Sequence, residues 1–159
     1  MTKSYTEQFD RVNRYFNLFK QINNGKTHNQ PSLYRDDVVI SFFQHCYHLK
    51  DWIKNDPACS ALKDDVEDFI TNNPNLSICA DICNATKHLL LTKPRSTENP
   101  SLDINDSVVK LVIKDGGNVP TSIDISVKYA VSTNSGDKDA FELAERCVLA
   151  WESFISSNT

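Results

Sequence analysis

The spacing of apolar residues in this chain changes period twice, and that change limits the folds open to it. From Phe9 to Leu91 apolar positions recur every three or four residues, in four blocks parted by breakers. Between Val109 and Tyr129 they recur every two, and from Phe141 to Ile155 they return to three and four. A helix presents one face every three to four residues, and a strand presents one face every second residue. The pattern predicts a mainly α fold: a helical bundle of about five helices with a β-hairpin inserted before the C-terminal helix, over about residues 107–131.

Each block carries its own boundary signals. Ser4-Tyr5-Thr6-Glu7 reads as a capping box opening a first helix, whose stripe is Phe9, Val12, Phe16 and Phe19 and whose end is Asn23-Asn24-Gly25. Gly25-Lys26-Thr27 matches the tail of a phosphate-binding loop, but the upstream glycine and strand that such a loop needs are missing. A second helix is predicted over about 35–55, with Val39, Phe42, Phe43, Cys46, Leu49 and Ile53 on its apolar face. Asp56-Pro57 stops it and caps a third helix that carries Leu62, Val66, Phe69 and Ile70. Asn72-Asn73-Pro74 breaks the chain again. A fourth helix follows over about 76–91, with Ile78, Ile82, Ala85 and Leu89 inward.

Beyond the Lys93–Pro100 loop, Val109, Leu111 and Ile113 alternate with more polar positions. Gly116-Gly117 and Pro120 make a turn, and Ile123, Ile125, Val127 and Tyr129 alternate again. The last helix is predicted to start near Asp137 and to present Phe141, Ala144, Val148, Trp151 and Ile155. Two strands alone are marginal, so the hairpin must pack on the helices or pair with another chain. No repeat or long linker divides the 159 residues, and one domain over 1–159 is expected.

Composition excludes several classes of function. With 17 basic and 21 acidic side chains the net charge is −4, which gives no whole-molecule attraction to nucleic acid or anionic lipid. No apolar run reaches the roughly 18 residues of a membrane span, and residues 1–16 lack the apolar core of a signal peptide. A cytoplasmic protein with no membrane partner is expected. Five cysteines, an odd number with no secretion signal, argue against a disulfide framework.

Polar stripes interrupt two helices. His45, His48, Asp51 and Asn55 follow at steps of three, three and four on the second. Asp81, Asn84 and His88 follow at three and four on the fourth, with Lys87 beside them. Residues at those steps share one side of a helix. Imidazole moves protons near neutral pH, but a histidine at a helix edge is more often a hydrogen-bonded structural residue than a catalyst. Asp51, Asp81, Lys93 and Arg95 are candidate binding residues. Cys79 and Cys83 share one helical face and Cys46 and His48 lie close together on another, a donor set of the zinc type. Their spacing fits no zinc knuckle or ribbon, and buried packing is the simpler role, so no metal or cofactor is assigned.

Cys83-Asn84-Ala85-Thr86-Lys87-His88 resembles the signature of the HEPN helical-bundle family: arginine, a polar residue, three variable positions, then histidine. Asn84 and His88 match, and Cys83 stands in the arginine position. The resemblance implies a dimer of helical bundles with the motifs across a shared cleft. In its active members it implies a metal-independent ribonuclease, in which the histidine assists attack by the RNA 2′-hydroxyl and the arginine holds the phosphate. A neutral thiol cannot replace a guanidinium at phosphate. The resemblance therefore implies first an interaction or regulatory module in a prokaryotic defence or toxin–antitoxin type of system, self-associating or bound to a partner protein. The alternative it implies is a toxin-like ribonuclease acting on RNA, with the candidate catalytic set His88, supported by Asn84 and Lys87, and His48 or Asp51 contributing from the neighbouring helix.

Overall fold

The computed structural model describes residues 3–27, 29–88, 93–112 and 122–158, with the backbone alone at 104–112 and 122–124. In chain order the elements are α1 (Tyr5–Asn23), α2 (Ser32–Asn55), a 3-10 segment (Pro57–Leu62), α3 (Asp65–Asn72), α4 (Pro74–His88), β1 (Ser101–Val112), β2 (Ser122–Thr133), β3 (Gly136–Asp139) and α5 (Ala140–Ser156). This is the expected helical bundle with a small antiparallel sheet before the last helix. The predicted turn at Gly116, Gly117 and Pro120, and the predicted end of the fourth helix at 89–91, lie outside the described residues.

The predicted stripes become the core. Val12, Phe19, Val39, Phe42, Phe43, Leu49, Ile53, Val66, Ile70, Ala144 and Trp151 are all buried. α2 packs against α1 on one flank and α4 on the other, and α5 also lies against it. Trp151 is fully enclosed, and its indole N–H donates to the Cys46 carbonyl of α2 at 3.1 Å. Phe69 stacks on Phe154 with ring centres 4.4 Å apart and meets Trp151 at 5.8 Å, which closes α3 onto α5. α4 departs from the single-stripe expectation, because every residue from Leu76 to Cys83 is buried. That continuous burial makes it an inner helix enclosed by its neighbours, and a one-sided pattern does not describe such a helix.

Helix boundaries follow from caps. Ser4 caps α1 as predicted, though its hydroxyl also donates to Asp56 at 2.9 Å. Asp56 accepts from the Tyr5 N–H at 2.8 Å and from the Ala58 N–H at 2.9 Å, so one carboxylate caps α1 and the segment after α2. Those backbone N–H groups hold its carboxyl below the usual range. The third helix does not run on from Pro57 as the sequence predicts. A 3-10 segment ends at Leu62, Cys59 has a non-helical backbone, and α3 begins only at Asp65. Asp65, Glu67 and Asp68 then fill its first turn, where acids favour a helix start.

The sheet order is β1-β2-β3. β1 and β2 pair from Ser101↔Ser132 to Val112↔Ser122, with a bulge between Ile104 and Asp106. Both strands are longer than predicted. β3 is an addition: Asn134-Ser135 forms the turn and Gly136 takes a φ of +119°, which glycine adopts without steric cost. Asp137, the predicted start of the last helix, therefore lies in β3, and Asp139 is the N-cap of α5, accepting from the Glu142 N–H at 2.9 Å. The sheet is held down through β2. Tyr129 donates to the Asp36 carboxylate of α2, Lys128 donates to Asn23 Oδ1 at the end of α1 at 2.6 Å, and Phe19 meets the Tyr129 ring edge-on.

Trp151→Ala removes the largest enclosed side chain and its bond to α2. Equilibrium urea unfolding is expected to show a loss of roughly 3–5 kcal/mol.

Candidate functional site

The two polar stripes do not form one surface. His45 turns to α1, where Nδ1 lies 3.3 Å from the Gln8 amide and the ring centre lies 4.8 Å from that of Tyr15, tilted by 35°. Burial, followed by the nearby Arg11 charge, lowers its pKa, which favours neutral imidazole. His48 is exposed and points the other way, with Nε2 3.8 Å from Cys83 Sγ on α4. Asp51 is exposed and accepts from Lys50 at 3.0 Å, and the Asn55 amide donates to the Asp51 carbonyl at 2.7 Å. Asp51 and Asn55 line a cavity of about 290 Å³ with Trp52, Tyr5 and Asp56. The guanidinium of Arg11 lies 5.0 Å from the centre of the Trp52 ring.

Helical geometry fixes where the motif on α4 looks. Cys83 faces α2 through His48. At about 100° per residue, Lys87 lies about 40° from that direction, Asn84 about 100° and His88 about 140°. Lys87 therefore shares the α2 side, while Asn84 and His88 turn away from His48. Asn84 is half-buried, and Lys87 and His88 are exposed. The structure brings together His48, Cys83 and Lys87, with Asp51 and Lys50 near enough to act electrostatically on the thiol. It does not bring His88 into that group.

Cys83, in the motif's arginine position, is 2 % exposed, and burial pushes its thiol up to about 11. It stays protonated and neutral near pH 7, so it supplies neither phosphate-binding charge nor a nucleophile.

Besides Asp51, two of the candidate binding residues have structural partners. Asp81 is fully buried, and its carboxylate accepts from the Arg95 N–H at 2.6 Å, the Ser96 N–H at 2.8 Å and the Ser96 hydroxyl at 2.5 Å. It clamps the segment after α4 onto that helix. The Arg95 guanidinium is ion-paired with Glu67 of α3, donates to Thr71 Oγ1 at 3.2 Å and lies over the Tyr47 ring. Glu67 also takes Lys50 and Lys54 of α2, each at 3.0 Å. Partial burial opposes ionisation of Glu67, but hydrogen bonds from Lys54, Lys50 and Arg95 prevail and lower its pKa from 4.5 to about 2. Lys93 is exposed.

The zinc-type donor set divides in a way that spacing did not anticipate. Cys46 and Cys79 do come together, but their third neighbour is Cys147 of α5, and Cys83 pairs with His48 instead. Cys147 lies on the inner stripe of its helix, so its burial was legible, but nothing in the sequence says which other stripes it meets. The Glu67 hub was also missed. In the sequence it is one of three acids in the first turn of α3, and only folding sets three cations around it. No protein family, curated protein or solved structure matches this chain.

Two expectations follow. Asp81→Ala leaves backbone N–H groups without their buried acceptor and is expected to cost roughly 3 kcal/mol in urea unfolding. Glu67→Gln is expected to cost roughly 1–2 kcal/mol at pH 7 after solvent screening. Glu67 has a lowered folded pKa, so its contribution is present above about 4.5 and fades as pH falls towards 2. Stability curves of wild type and variant, measured from pH 7 to pH 2, should converge over that window.

Proposed function

We propose that this chain is a self-associating interaction module built on a HEPN-like helical bundle, and that the contact is made by the free edge of β1. The observation that carries this reading is a 12-residue strand that, among the described residues, is hydrogen-bonded on one side only. An unpaired edge of that length templates another strand. Its sequence, Ser-Leu-Asp-Ile-Asn-Asp-Ser-Val-Val-Lys-Leu-Val, fits a second copy of itself. A two-fold axis at Ser107, with Asn105 taken up in the bulge, would place Asp103 opposite Lys110, Leu102 opposite Leu111 and Ile104 opposite Val109, each pair occurring twice. Opposite charges and apolar residues facing one another stabilise antiparallel pairs, and a two-fold axis gives a closed dimer.

The α4 motif supports an interaction role over a catalytic one. Its arginine position holds a buried neutral thiol, and Lys50, Lys54 and Arg95 are already paired with Glu67. His48 lies on a different side of α4 from Asn84 and His88. A setting in prokaryotic defence or toxin–antitoxin control is implied by the resemblance alone.

Charge exchange tests this reading. Sedimentation equilibrium is expected to give a dimer for wild type. Asp103→Lys and Lys110→Asp should each weaken it roughly tenfold, since each turns two attractions into repulsions. The double variant should recover the wild-type affinity. A monomeric wild type, or a dimer indifferent to these changes, would falsify the edge-pairing model. Cleavage of unstructured RNA in the presence of chelator, abolished in His88→Ala, would replace the module by the ribonuclease reading.

A further inference from the structure

Cys46 of α2, Cys79 of α4 and Cys147 of α5 converge inside the core. Their sulfurs all lie within 4.8 Å of one another, each residue is at most 1 % exposed, and all three are free thiols. We propose that this trio is a three-sulfur binding site for a soft, thiophilic ion, and that trivalent arsenic matches it best.

Geometry comes first. Three sulfurs held at about 2.3 Å by one ion stand roughly 3.4 Å apart in the three-sided pyramid of trivalent arsenic, and roughly 3.8–4.0 Å apart in a tetrahedral or planar arrangement. The three sulfurs lie within 4.8 Å of one another, so binding draws them together by side-chain rotation of roughly 1 Å. The donors come from three separate helices, each placed by core packing, so the site is organised before any ion arrives. Sulfur-only donors select soft ions over oxygen-seeking ones.

Charge then chooses among soft ions. The Cys79 thiol donates to the Phe43 carbonyl at 3.5 Å and the Cys147 thiol to the Asn75 carbonyl at 3.4 Å. A divalent ion on three thiolates would leave a net negative charge in an enclosed apolar space, which is costly. Arsenious acid avoids that charge. Each of its three hydroxyls takes one thiol proton and leaves as water, three As–O and three S–H bonds break, and three As–S bonds form. The product is neutral, three waters are released, and no atom changes oxidation state.

Because the trio is enclosed, loading requires α5 to open or the chain to refold. The full-length protein is refolded from urea with one equivalent of arsenite, and in a separate arm with one equivalent of zinc chloride, then examined by native mass spectrometry and thermal melting. The expected result is one arsenic bound with loss of three hydrogens, together with a raised Tm. Cys46→Ser, Cys79→Ser and Cys147→Ser should each weaken binding roughly tenfold or more, and Cys59→Ser should leave it unchanged. Circular dichroism checks each fold, and an alanine variant replaces any serine variant that does not fold. No adduct on folded wild type, or an adduct that survives loss of any one of the three cysteines, overturns the site. A stoichiometric zinc adduct without an arsenic one overturns the choice of ion.

Discussion

The burial of α2 between α1, α4 and α5 is the constraint on which the rest of the molecule depends. Its apolar face, Val39, Phe42, Phe43, Cys46, Leu49 and Ile53, is enclosed along nearly its whole length. The enclosed Trp151 indole joins α5 to it through the Cys46 carbonyl, and Asp36 at its start receives the Tyr129 hydroxyl of β2. The flanks of one helix therefore position the bundle, the sheet and both polar stripes. An indole buried this deeply is tolerated because its one polar group has a partner.

Three carboxylates organise the chain between the helices. Asp56 caps two helical starts, Asp81 clamps the segment after α4, and Glu67 gathers Lys50, Lys54 and Arg95. Each satisfies donors that the fold would otherwise leave unpaired. This arrangement draws Asp81 and Arg95 into structural work. Cys83, in the arginine position of the resembling motif, is enclosed and neutral. The proposed reading of the chain as an interaction module is supported by that thiol together with the edge of β1 that is unpaired among the described residues.

The elements were largely legible, and the reasons are local. A helical stripe such as Phe9-Val12-Phe16-Phe19 is periodic whatever it packs against. The Ser4 cap on Thr6, the Asp56 cap on Ala58 and the Gly25 stop act within a few residues of their own position, whereas the bonds of Asp56 to Ser4 and Tyr5 are tertiary. The misses have physical causes too. β3 is short and entirely exposed, so it has no apolar alternation to announce it, although Asn134-Ser135-Gly136 carries turn chemistry. The 3-10 segment was read as part of an α-helix because Leu62 continues the spacing of Val66 and Phe69, while the break at Cys59 lies in the backbone.

The sequence by itself determined the order and type of the main elements and the faces they bury, because hydrophobic periodicity and capping operate over a turn or two. Tertiary structure alone decided which faces meet. It set His45 and His48 against different neighbours, turned Asn84 and His88 away from α2, and brought Cys147 to Cys46 and Cys79 across the core. Those pairings depend on how helices rotate about their own axes when large side chains interlock, and no residue carries that information within its own segment.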